Sequence, residues 1–137
     1  MIKFISLSGP DGVGKTSTIQ ALHKATNYKY IIHDRDIPDQ LCYAKLAANR
    51  YYDKDWLNYM YSNDIQLYVI LNSSLEKIEE RMKQRNDSKV PKGTTLEQAI
   101  NYFSIYRLST ASNILYIDNS NLTVDEVVKQ ILTKIQG

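Results

Sequence analysis

The stretch GPDGVGKT, Gly9 to Thr16, directly after IKFISLS, Ile2 to Ser8, decides how the rest of this chain is read. Ile2 to Ser8 is a short apolar run that suits a strand covered on both faces. Glycines serve neither a strand nor a helix well, so three of them at this point belong to the turn itself. Their spacing does too: Gly9, Gly14, Lys15 and Thr16 fit G-x-x-x-x-G-K-[ST]. A loop that wraps a phosphate must turn successive backbone N–H groups inward, and side chains at the tight turns would collide. The helix that follows aims its positive end at the same anion. Gly9, Asp11, Gly12, Val13, Gly14, Lys15, Thr16 and Ser17 are therefore the expected ATP-binding residues. Lys15 would reach the β- and γ-phosphates and Thr16 would offer its hydroxyl to Mg²⁺.

Outward from the loop, strands and helices alternate. A helix is predicted over Lys15–Ala25 with Ile19, Leu22 and Ala25 inward. KYIIHD, Lys29–Asp34, reads as a second buried strand, and Pro38–Met60 as a helical stretch divided by NRYYDKD. IQLYVIL, Ile65–Leu71, is the clearest strand. Ser73 and Glu76 form a capping-box pattern ahead of Leu75, Ile78 and Met82. Thr94 and Glu97 repeat it before Leu96, Ile100 and Phe103. NILYID, Asn113–Asp118, is a fourth strand, and Thr123 and Glu126 cap a last helix carrying Val124, Val127, Val128, Ile131 and Ile135. Such an order predicts an α/β fold, three layers around a parallel sheet of about four strands. Ligands of such sheets bind beyond the carboxyl ends of the strands. Three polar clusters fall there: Gly9–Thr16, His33–Asp36 and Asp118–Asn121, the last expected to rim an adenine pocket through backbone groups.

The 137 residues fit a single domain large enough to bury its own core. A net charge of +2 does not argue by itself for nucleic acid or membrane, although RMKQRNDSKVPK, Arg81–Lys92, is locally basic. One cysteine, Cys42, precludes an internal disulfide and fits a reducing compartment. No apolar run has membrane-spanning length and the N-terminus lacks a secretory pattern, so a cytoplasmic protein is expected. His23 and His33 lack metal-ligand spacing. The exposed edge of a short sheet could be covered by a homodimer.

The loop's DGVGKT form, Asp11 to Thr16, resembles the thymidylate kinase family within the P-loop nucleoside and nucleotide kinases. HDRDIPDQLCY adds Asp34, Arg35 and Tyr43 in the register of that family's strand-end Asp-Arg pair and following tyrosine, and ERMKQRNDSK looks like its basic lid. The resemblance spans most of the chain. It implies ATP-dependent phosphoryl transfer to a deoxynucleoside monophosphate or a related nucleoside acceptor. Asp11 would contact the acceptor sugar, Asp34 would hold Mg²⁺ through water, and Arg35 would bind the acceptor phosphate. Arg81 and Arg85, at i and i+4 on one helix face, would stack on adenine or neutralise the transferring phosphoryl group. The acceptor side would comprise Asp11, Arg35, Asp36 and Tyr43; the catalytic set Lys15, Asp34, Arg35, Arg81 and Arg85; the metal ligands Thr16 and Asp34. The chain departs from the family in having Asp36 where tyrosine is usual and Asp39 where serine is expected, and in lacking a further strand between the first helix and the Asp-Arg pair.

Two other readings fit the same loop. A polynucleotide 5′-hydroxyl kinase, or another kinase with a DNA or RNA acceptor, also passes straight from the loop helix to a strand ending in an acidic-basic pair; Arg35 and Asp36 would then be that pair, with Asp36 as general base. A P-loop NTPase switch needs a residue that orients water; Gln20 and Gln40 both sit in predicted helices, and no N-K-x-D signature is present.

Overall fold

The computed structural model describes residues 1–48, 54–85 and 93–136. Strands β1 (Phe4–Ser8), β2 (Ile31–Asp34), β3 (Gln66–Asn72) and β4 (Ile114–Asp118) form one parallel sheet in the order β2-β1-β3-β4. Helices α1 (Lys15–Ala25), α2 (Ile37–Ala48), α3 (Lys54–Ser62), α4 (Leu75–Gln84), α5 (Gly93–Phe103) and α6 (Val124–Gln136) cover its faces, with a 3₁₀ turn at Ser104–Leu108. The expected three-layer α/β arrangement and its four strands are thus present. Among the described residues no helix is long and apolar enough to cross a membrane.

The period-two alternation of β3 builds two cores from one strand. Leu67, Val69 and Leu71 face a cluster with Ile5 and Leu7 of β1, Leu22 of α1, Ile78 and Met82 of α4, and Val127, Val128 and Ile131 of α6. Tyr68 and Ile70 face the opposite cluster, with Ile37, Leu41 and Cys42 of α2, Met60 of α3, and Ala99 and Phe103 of α5. The loop residue Val13 belongs to the first cluster, which anchors the glycine-rich turn to the core. On β1 the small Ser6 and Ser8 take the alternate positions and are fully buried.

Four expectations are corrected. Lys29–Asp34 is not a buried strand: β2 is the sheet edge, starts at Ile31, and leaves Ile31 57% exposed. Hydrophobicity alone does not distinguish a covered strand from an edge. Ala25 is exposed, and Thr18 and Ala21 accompany Leu22 inward instead. The cap of α4 is Ser74, whose Oγ accepts the Lys77 amide at 3.2 Å, while Ser73 Oγ is engaged with Ser120 Oγ at 3.1 Å. Val124 is only partly covered and lines a cleft. The last capping box forms as expected: Thr123 N donates to Glu126 Oε1 at 3.0 Å and Glu126 N to Thr123 Oγ1 at 3.1 Å. Thr94 falls inside α5, and its side chain lies outside the described residues, as do residues 49–53 of the NRYYDKD break.

Cys42 is fully buried, and burial, with the Asp39 carboxylate adding to it, pushes its thiol up to about 12. Thiolate is the reactive form. A chromogenic disulfide reagent at pH 8 is therefore expected to leave Cys42 untouched in the folded protein and to titrate it fully in denaturant. Rapid native labelling would contradict the packing of α2.

Candidate active site

The glycine-rich loop runs from the carboxyl end of β1, the second strand in the sheet order, into α1. At Gly9, φ is 153° and a Cβ would stand 2.2 Å from the Leu71 carbonyl oxygen of neighbouring β3. Gly14 takes the left-handed conformation, φ 96°, at the N-cap of α1. Thr18 N is the first amide of α1 to find a helical carbonyl, that of Gly14 at 3.1 Å. The amides before it lie at the helix start, where no preceding turn supplies acceptors, and they are available to an anion.

Lys15 is 8% exposed, its Nζ donating to the carbonyls of Gly9 at 2.7 Å and Pro10 at 3.1 Å. Burial lowers its pKa, opposed chiefly by the Asp39 and Asp11 carboxylates. Around it, a cavity of about 300 Å³ is lined by Asp11, Gly12, Gly14, Lys15, Thr16, Ser17, Asp34, Arg35, Met82 and Arg85. The loop thus shares one space with the end of β2, with Met82 of α4 and with Arg85 at the C-cap of that helix.

Asp34 ends β2 with its side chain exposed. Arg35 follows in the left-handed region, φ 76°, which is uncommon for a residue with a Cβ and marks a locally enforced turn. Its amide still donates to Leu7 O at 2.9 Å, and its guanidinium donates to Asp11 Oδ1 at 3.0 Å. Asp36, placed among acceptor-side residues by sequence, lines the adjoining cavity with Asp34, Arg35, Asp39, Gln40 and Tyr43. Its carboxylate, however, accepts from Gln66 Nε2 at 2.8 Å and from the Ile37 amide at 2.7 Å, and lies 3.3 Å from His33 Nδ1. That set of partners fixes the start of α2. Tyr43 is half-buried, and burial above all pushes its phenol up to about 12, so it remains a neutral hydroxyl at the cavity wall.

On the other side of the loop, a cleft of about 370 Å³ lies between α4, the turn after β4, and α6. Val13, Ser17, Thr18, Arg81, Arg85, Asn119, Val124 and Val127 contribute to it, a mixture of flat, apolar and guanidinium surface suited to a nucleobase. Arg81 is held rather than free. Its guanidinium donates to Asn119 Oδ1 and Asn119 O, both at 3.0 Å, and lies 3.4 Å from Val13 O. Asn119 Nδ2 donates to Val13 O at 2.8 Å. The turn after β4 therefore acts through a side chain as well as through backbone. The sequence reading placed Asn119 in the cluster expected to act through backbone groups and noted Asp39 only as a departure from the family; it assigned neither side chain a role. Val13 contributes only backbone to the cleft, its side chain being in the core. Arg85 lines both cavities; residues 86–92, the rest of the expected lid, lie outside the described residues.

Thr16 and Asp34 are the oxygen donors at the phosphate cavity that the sequence reading assigned to a cation. A hydroxyl and one carboxylate suit Mg²⁺, which takes few protein oxygens and completes its shell with phosphates and water. Among the described residues no group of three or more His, Cys, Asp and Glu side chains forms a self-sufficient metal cage.

No protein-family model matches this sequence, and no curated protein does. Solved structures do match. The YorR protein of Bacillus subtilis, in complex with phosphorylated GDP, superposes with a TM-score of 0.76 at 19% identity, spanning 98% of this chain and 96% of that one. Thymidylate kinase of Candida albicans gives 0.70 at 18% identity over 98% and 91%. Deoxyadenosine kinase of M. mycoides with bound dATP gives 0.68 at 15% identity over 98% and 100%. At these identities the likeness is one of fold: the chain has a P-loop kinase fold over nearly its whole length.

Proposed function

We propose that the protein is an ATP-dependent kinase that transfers the γ-phosphoryl group to a small nucleoside-type acceptor, with a deoxynucleoside monophosphate as the leading candidate. The observation that carries this reading is a single cavity in which the loop, Lys15 and Thr16 face Asp34 and Arg35. Structures of the same fold include proteins described as thymidylate and deoxyadenosine kinases, which supports a nucleoside or nucleotide acceptor.

Phosphoryl transfer asks little covalent chemistry of a protein; it needs alignment and cations where charge gathers. The loop amides and Lys15 would bind the phosphate tail, and Lys15 must leave the Gly9 and Pro10 carbonyls to reach it. The cleft beside Arg81 would hold the donor base. Arg35, released from Asp11, would bind the acceptor's phosphate, and Tyr43 would border its sugar or base. Thr16 and Asp34 would hold Mg²⁺, which supplies charge neutralisation on the phosphates when bound.

A polynucleotide 5′-hydroxyl kinase would use Asp36 as base. The partners of Asp36 — Gln66, Ile37 and His33 — give its carboxylate a structural task and weigh against that reading. With a monophosphate acceptor, Asp36→Asn is expected to keep turnover within about threefold of wild type, whereas Asp34→Asn lowers it about a hundredfold. Steady-state rates of the two variants decide the matter, and the reverse ranking would point to an alcohol acceptor with Asp36 as base. The function itself is tested with γ-labelled ATP and Mg²⁺ against deoxynucleosides, their monophosphates and 5′-hydroxyl oligonucleotides. Label on a monophosphate is the expected result. Label only on oligonucleotides, or phosphate release without any acceptor, would replace this proposal with the corresponding alternative.

A further inference from the structure

Asp39 is a carboxylate in the first turn of α2, and it is only 3% exposed. An acid near a helix start is common at a surface, where the helix dipole favours it. In the interior a charge is costly unless its lone pairs are taken. Here they are taken by two backbone amides from different parts of the chain. Oδ2 accepts from Asp36 N at 2.9 Å, and Oδ1 accepts from Gly9 N at 3.2 Å.

Both amides belong to the machinery described above. Gly9 opens the phosphate loop, and its own carbonyl accepts the Lys15 ammonium. The first residue of the loop is therefore gripped by an anion at its N–H and by a cation at its carbonyl. Asp36 follows Arg35, whose left-handed backbone is pinned on one side by its amide bond to Leu7 O and on the other by the Asp36–Asp39 contact. Asp39 also lines the cavity assigned to the acceptor, beside Asp34, Arg35 and Tyr43.

We propose that Asp39 is a positioning residue whose two carboxylate oxygens tie the first amide of the donor loop to the turn that carries Asp34 and Arg35, so that the two substrate sites keep a fixed relation. A serine has one short acceptor for two separated amides. An asparagine has one acceptor oxygen, and its NH₂ would face the second N–H. Only a carboxylate satisfies both, which gives a reason for the buried charge. The inference rests on the kinase reading for its functional consequence but not for its geometry, and the test separates the two.

In Asp39→Asn, the Gly9 amide proton, deshielded in wild type by its carboxylate partner, is expected to move upfield in nucleotide-free ¹H–¹⁵N spectra. Affinity for a non-hydrolysable ATP analogue with Mg²⁺, measured by calorimetry and referred to folded protein, is expected to fall at least tenfold. A purely stabilising role would lower the melting temperature and leave the affinity of the folded fraction unchanged; that result overturns the proposal. An unmoved Gly9 resonance overturns it as well. Should Asp39→Asn fail to fold, Asp39→Ser, which is smaller and buries no amide group, carries the same two measurements. Failure of wild-type protein to bind the analogue would instead remove the kinase reading, and the Gly9 resonance would still decide whether Asp39 holds the loop.

Discussion

Lys15→Ala is expected to lower ATP-dependent phosphoryl transfer about 10²- to 10³-fold, roughly 3–4 kcal/mol of transition-state stabilisation. Among the described residues the ammonium is the one lysine lining the phosphate cavity, and the charge that builds on the γ-phosphoryl oxygens needs a cation at that point. The fold should tolerate the change. Lys15 is nearly buried, so the fold already bears the desolvation of its charge, and truncation relieves that cost while leaving the Gly9 and Pro10 carbonyls without their donor. The two effects oppose each other, and thermal unfolding is expected to shift by only a few degrees, corresponding to about 1 kcal/mol. Single-turnover transfer of label with the best acceptor from the panel measures the first effect, and calorimetry the second. Retention of more than a few per cent of the wild-type rate would remove the loop from the chemistry.

Gly9→Ala should act on stability instead. A methyl group there meets the Leu71 carbonyl oxygen at 2.2 Å, and the opposing atom is backbone of a fully buried strand that has no room to retreat. The conformation, φ 153°, also disfavours any side chain. Moving β3 to make space would disturb both apolar clusters. A loss of about 4 kcal/mol or more follows, a fall in melting temperature of roughly 10–15 °C. Gly14→Ala is the internal control. Its Cβ would meet only Asn119 Nδ2, at 4.0 Å, so only the left-handed backbone is penalised, at about 1 kcal/mol. Equal losses at the two positions would mean that the contact with Leu71 is not what fixes Gly9.

The phosphate loop was legible because the ligand itself dictates its spacing: glycines where backbone must approach, a lysine and a hydroxyl at the helix start. β3 was legible because a strand buried on both faces needs an unbroken apolar run. The cap of α6 was legible because both halves of its reciprocal bond lie three residues apart. What stayed hidden depends on partners remote in sequence. Asp39 reads as an ordinary acid in a first helical turn, and its second amide lies thirty residues earlier. Asn119 belongs to a cluster expected to act through backbone alone, and the role of its side chain shows only when the Val13 carbonyl and the Arg81 guanidinium are placed beside it. Ser73 and Ser74 are adjacent, and the choice of cap between them was settled by Ser120, from the far end of the chain. The exposed edge at β2 was missed for the same reason, since whether a strand has one neighbour or two is a property of the assembled sheet.

The sheet keeps its two apolar clusters on opposite faces, and under the proposed function the two substrates would fall on either side of that divide. The groove beside Arg81, Val124 and Val127 rests on the α1, α4 and α6 layer, whereas the cavity at Tyr43 and Gln40 belongs to the α2 layer. Under that reading, residues choosing what receives phosphate could be exchanged, by descent or by a designed library, without retuning the half that would grip the donor. The shared hinge of that exchange would be Asp39, a member of the variable layer that should not be shuffled.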